Sequence, residues 1–131
     1  MNRLLLALPL MILPGVAMAQ AAIPDDVHKQ LWCGTAFALY FAPPPDATAA
    51  QKEEVKVFLD DAASVIAAAG ATLKGLGYDD AAIAKIDADL VPVVTSQMIK
   101  GTTEFTQGDC TPFMKSMASL PEGDASSTPA Q

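Results

Sequence analysis

Apolar residues recur along this chain at three- and four-residue steps, and no stretch alternates apolar with polar as a half-buried strand would. The pattern predicts helices throughout. The first opens at Pro24-Asp25-Asp26, where a proline sacrifices no needed donor and two aspartates complement the positive helix end. It runs to Phe41 or Ala42. Within it, Leu31 to Ala42 is twelve residues without a charge. That is too short to span a bilayer, which takes roughly 20 apolar residues. A helix apolar on nearly all sides is a buried one, so this stretch is expected to be the central helix of a bundle. With 3.6 residues per turn, Val27, Leu31, Gly34, Ala38 and Phe41 share one face, and Cys33 and Phe37 extend it. Trp32 and Leu39 fall on another face. Large apolar side chains usually find cover, so burial is the first expectation for both. Left open, Trp32, Leu39 and Tyr40 form the candidate interaction surface.

Ala42-Pro-Pro-Pro-Asp46 ends that helix, because each proline disfavours helix in the residue before it. Thr48-Ala-Ala-Gln51 has the spacing of a capping box and opens a second helix of about 28 residues. Its stripe is Val55, Leu59, Ala62, Ile66, Ala69, Leu73 and Leu76, widened by Phe58 and Val65. The periodicity passes through Gly70, so the helix is expected to continue there and to end at Gly75 and Gly77. Ala62, Ala69 and Gly70 leave room for a close helix neighbour. Asp79 is a suitable N-cap for a third helix with Ile83, Ile86, Leu90, Val94 and Met98 on its stripe, a Pro92 kink near Ala88 and a stop at Gly101. Thr102 to Gly108 reads as a polar linker with Phe105 as a plug into the core. Asp109-Cys-Thr-Pro-Phe113 is expected to open a short last helix with Phe113, Met114 and Met117 on its apolar side. The fold class is therefore all-α, a small bundle of three to four helices occupying residues 20–120. Residues 121–131, Pro-Glu-Gly-Asp-Ala-Ser-Ser-Thr-Pro-Ala-Gln, have the composition of a disordered tail.

The first nineteen residues change the picture of where the bundle works. Arg3, the uncharged run Leu4 to Leu13, the Pro14-Gly15 break and Ala17-Met18-Ala19 form the pattern of a secretory signal peptide, residues 1–19, cut before Gln20. The product is expected in the periplasm, with full secretion as the alternative and no stable membrane insertion after cleavage. Residues 20–131 contain seven lysines against fifteen acidic residues and no arginine, a net of −8 where the whole chain carries −7. With no cluster of basic side chains, nucleic acid is not an expected partner. Two cysteines in an exported domain read as one structural disulfide, Cys33 with Cys110. They lack the Cys-x-x-Cys spacing usual for thiol exchange.

Candidate chemistry is sparse. His28 is the single histidine, three residues after Asp25, and two such ligands fall short of the three or four that zinc takes. No nucleophile motif accompanies it. The acid pairs Asp25-Asp26, Glu53-Glu54, Asp60-Asp61, Asp79-Asp80 and Asp87-Ala-Asp89 sit at helix starts and on solvated faces. Met98, Met114 and Met117 read as core filling rather than a soft-metal surface. No catalytic residue, metal ligand or cofactor is nominated. The expected function is that of a non-enzymatic module that binds another periplasmic protein or itself. One alternative is a pH-conditional chaperone: Trp32-Cys33 with a second cysteine, Cys110, in a small exported helical chain resembles the layout of the periplasmic acid-stress chaperones of the HdeA type. A small enzyme or metal-binding protein is the remaining alternative.

Overall fold

A computed structural model describes residues 21–116; the predicted signal peptide, the tail 121–131 and Met117 lie outside the described residues. Four helices follow in order and, among the described residues, there is no strand: α1 (Asp25–Tyr40), α2 (Ala49–Gly75), α3 (Asp80–Lys100) and the single turn α4 (Gln107–Cys110). The all-α bundle is thus present, with α1 touching each of the other three helices.

Local chemistry sets the helix ends. Pro24 stands at the N-cap of α1, one position outside the first turn, and its carbonyl accepts from the His28 N–H at 2.9 Å. Thr48 and Gln51 form the full capping box at the start of α2, and the Asp79 side chain accepts from the Ala82 N–H at 2.7 Å to start α3. α2 runs unbroken through Gly70 and closes with Tyr78 N–H on the Leu73 carbonyl and Gly77 N–H on that of Lys74. That closure needs a left-handed residue, which Gly77 supplies at φ 94°; Gly101 does the same for α3 at φ 65°. Pro92 lies inside α3, which continues past it. The last helix starts earlier than the sequence pattern places it. Thr106, not Asp109, is the N-cap, and Asp109 is the third-position partner whose carboxylate accepts from the Thr106 N–H at 2.9 Å. The Thr-x-x-Asp signal sits inside what composition marks as polar linker.

The main core gathers Val27, Leu31, Trp32 and Cys33 of α1, Ala69 and Leu73 of α2, Leu90 and Val94 of α3, and Cys110. A second cluster joins Ala62 and Val65 of α2 to Met114, with Phe37 and Ala38 packed on it. Met114 is therefore core. The segment after α3 folds back over α1 and α2 as a strap. It is held by the Cys33–Cys110 disulfide, with Cα atoms 5.4 Å apart, and by Asp61, whose carboxylate accepts from both the N–H and the hydroxyl of Ser116 at 2.8 and 2.6 Å.

α1 packs tightly against α2 at Gly34. A Cβ there would lie 2.6 Å from Ile66 Cγ1 and 3.2 Å from the Ala62 carbonyl oxygen. Gly70, by contrast, faces Ile83 of α3 with room for a methyl group. Gly34→Ala gains about 1 kcal/mol of helix propensity but overpacks a backbone contact, for which about 1–3 kcal/mol is the usual penalty. β-branched Ile66 has little rotamer freedom to yield. The expected net is a lower urea midpoint for Gly34→Ala and an unchanged or higher one for Gly70→Ala. A Gly34→Ala protein more stable than wild type would show that the helices can separate at no cost.

Candidate functional site

Two i, i+4 rows on α1 lead toward its C-terminal end, Trp32-Ala36-Tyr40 and Cys33-Phe37-Phe41. The disulfide brings residues 103–110 alongside them, and Met98 of α3 completes the enclosure. The result is an open groove of about 480 Å³. Trp32, Phe37, Tyr40, Phe41 and Phe105 line it, which is five of the chain's eight aromatic residues. None of its lining residues carries a formal charge; Thr103, Thr106 and Gln107 supply its polar edge.

The rings hold one another in place. Trp32, 3% exposed, forms part of the floor. Its indole N–H donates to Gln97 Oε1 at 2.7 Å, and the Phe105 ring meets it edge-on with centroids 5.6 Å apart. At the mouth, Phe41 stacks on Phe58 of α2 at 4.3 Å and touches Phe37 and Tyr40 at 5.1 and 5.0 Å. Tyr40 is 72% exposed. The structure thus separates the three residues of the candidate surface. Trp32 is buried because Phe105 and α3 cover it. Leu39 is half-buried and packs on the main core, away from the groove. Tyr40 alone stands free. Phe37, Phe41 and Phe105, which hydrophobic spacing assigns to the core or to a plug, instead share the groove walls. The i, i+4 row through Cys33 is the signal in the sequence that points to Phe37 and Phe41; no local pattern points to Phe105.

His28 is paired across the fold rather than with Asp25. Its Nε2 lies 3.1 Å from Glu104 Oε1, its ring meets Phe105 edge-on, and Lys29 Nζ sits 5.3 Å from the same ring. Among the described residues no three His, Cys, Asp or Glu side chains gather in a metal-holding group, and no helix is long and apolar enough to cross a membrane. Many of the acids have structural partners. Lys56 pairs with Asp60, Lys74 with Asp80 and Lys85 with Asp89. These exposed pairs add little stability, though the Asp60 hydrogen bond and charge raise the Lys56 ammonium pKa. Hydrogen bonds from the Thr106 side chain, then its backbone, hold the Asp109 carboxyl below the usual carboxylate range, while burial pushes Asp87 above it.

The groove thus pairs an aromatic interior with a polar edge and an open mouth, which suits non-covalent capture of a partner side chain. Comparison with protein-family models, with curated proteins and with solved structures gives no match.

Proposed function

We propose that the chain is an exported, non-enzymatic interaction module of the periplasm that docks a segment of a partner protein in the aromatic groove. The supporting observation is the gathering of five of eight aromatic residues around one open groove, with Tyr40 72% exposed at its mouth. Interface energy concentrates in such aromatic anchors. Export rests on the signal-like residues 1–19, and a disulfide suits an oxidising compartment. The envelope-purified protein is expected to begin at Gln20 by intact mass.

Photo-cross-linking from position 40 in the intact envelope tests the docking. The same photoreactive residue at Ile99, which is apolar, 82% exposed and outside the groove, controls for general stickiness. A discrete adduct from position 40 alone is expected. Equal labelling from both positions, or none from either, retires the reading.

A second reading, the pH-conditional chaperone, draws on two carboxylates at the strap: Asp61, which ties Ser116 to α2, and Asp109, which caps the strap's own helix α4 through Thr106. A carboxyl whose folded pKa is depressed contributes stability that is complete above its unfolded value, near 3.9, and is lost as pH falls through the lower folded value. Asp109 has that sign. Asp87 has the opposite sign, since its raised folded pKa means that acidification relieves a penalty. Acid loosening is therefore expected at the strap, below about pH 4, and not at α3. Light scattering and an apolar-surface dye from pH 7 to pH 3 read it out. A compact, dye-free particle at pH 3 would sink this second reading.

A further inference from the structure

We propose that the groove selects an arginine side chain of its partner, flanked by apolar residues. This rests on the docking reading above and adds the chemistry that the partner must present.

The first argument is the walls. A groove lined by Trp32, Phe37, Tyr40, Phe41 and Phe105 presents ring faces and edges with no fixed cation among its lining residues. Aromatic faces attract cations, most strongly where water is excluded. Lys29 already shows the chemistry at one ring, with its ammonium 5.3 Å from Phe105.

Charge complementarity is the second. The mouth lies at the C-terminal end of α1, where helix carbonyls present partial negative charge, and the last turn of α1 contains no basic residue to offset it. Glu104 and Asp109 flank the wall residues of segment 103–110 without lining the groove, Glu104 bonded to His28 and Asp109 to Thr106. The whole chain carries −7. An acidic partner is repelled, and a neutral one gains nothing from these features.

Arginine suits this site better than lysine. Its planar guanidinium stacks on rings and leaves water more readily than a compact ammonium. Its fan of N–H donors matches the oxygen acceptors of Thr103 and Gln107 at the polar edge. The chain supplies no arginine of its own to the groove, because its single arginine is Arg3, within the predicted signal peptide; its one cation at a groove ring is Lys29, at Phe105.

Trp32, the only tryptophan, lies in the groove floor and reports occupancy directly. The probe is a capped five-residue peptide with one arginine between two leucines. Its control carries citrulline, the neutral isostere, at the same position. The expected result is a saturable change in Trp32 emission with the arginine peptide and binding at least about tenfold weaker with citrulline, the scale of a desolvated cation–ring contact. Tyr40→Ala, exposed and so harmless to the fold by circular dichroism, is expected to weaken the arginine peptide by about tenfold or more. Equal binding of the two peptides overturns the arginine proposal and leaves groove docking in place. Loss of neither affinity nor signal in Tyr40→Ala shows binding elsewhere and overturns it also. Silence from both peptides overturns it as well, and docking then stands or falls on the cross-link from position 40.

Discussion

Replacing both cysteines, Cys33→Ala with Cys110→Ala, is expected to lower the unfolding free energy by about 4 kcal/mol. The bond closes a loop across a sequence separation of 77, for which chain entropy alone predicts roughly 4.5 kcal/mol. Two features of the fold argue for the full effect. Cys33 is completely buried in the main core and Cys110 nearly so, so the truncated side chains leave space that the core must absorb. α4 is a single turn and cannot hold helical shape alone. Without the bond, the strap keeps the packing of Phe105, Phe113 and Met114, the His28–Glu104 pair and the Asp61–Ser116 hydrogen bonds. Domains of this size are stable by about 5–15 kcal/mol, so the loss brings the reduced protein near the unfolding threshold. Urea titration followed by Trp32 emission, with and without reductant, measures it. A reduced protein with an unchanged midpoint would mean that the strap is held by packing alone. The same experiment bears on function, since residues 103–110 are one wall of the groove and the reduced protein is expected to lose peptide binding before it loses helix content.

Trp32→Ala is expected to cost about 3–5 kcal/mol, the usual range for emptying a large aromatic site in a core. The indole is 3% exposed and packs in the main cluster with Leu31, Leu90 and Val94. Its removal also strips the Gln97 side chain of its donor and Phe105 of the ring it meets edge-on. Trp32→Phe keeps an aromatic surface for Phe105 and sacrifices the hydrogen bond, a smaller loss of about 1–3 kcal/mol where the acceptor is partly buried. The order wild type, Trp32→Phe, Trp32→Ala in thermal midpoint, read by far-ultraviolet circular dichroism, is the expected result. Equal midpoints for the two variants would assign the whole effect to the hydrogen bond and none to the cavity. Combined with the cysteine replacements, Trp32→Ala is expected to fall short of additivity, because both act on the Phe105 wall.

Helix positions and ends were open to reading in advance because they depend on neighbours in sequence. The Thr48–Gln51 box, the Asp79 cap and the stops at Gly77 and Gly101 are each decided within a few residues by backbone donors and acceptors. The continuity of α2 through Gly70 follows from a stripe that keeps its phase. Two cysteines with no others in the chain admit a single internal pairing. The one end misplaced, that of α4, shows the same rule from the other side: Thr106 and Asp109 form a capping box that is local and visible, but a one-turn helix has no periodicity to draw attention to it.

What no local rule contains is which face of α1 is covered by what. All sides of that helix are apolar from Leu31 onward, so the pattern assigns Trp32, Leu39 and Tyr40 no distinct fates. Tertiary structure separates them. α3 and Phe105 close over Trp32, Leu39 packs inward, and Tyr40 stays in solvent at the helix end. The groove exists only because the disulfide draws residues 103–110, some seventy positions away in sequence, beside two rows of α1. The chain by itself thus determines the helices, the single possible cross-link and the acidic surface, through short-range hydrogen bonding, covalent chemistry and charge. The aromatic site is decided only by the packing of distant segments, because a concave surface belongs to the space between elements and to none of them alone.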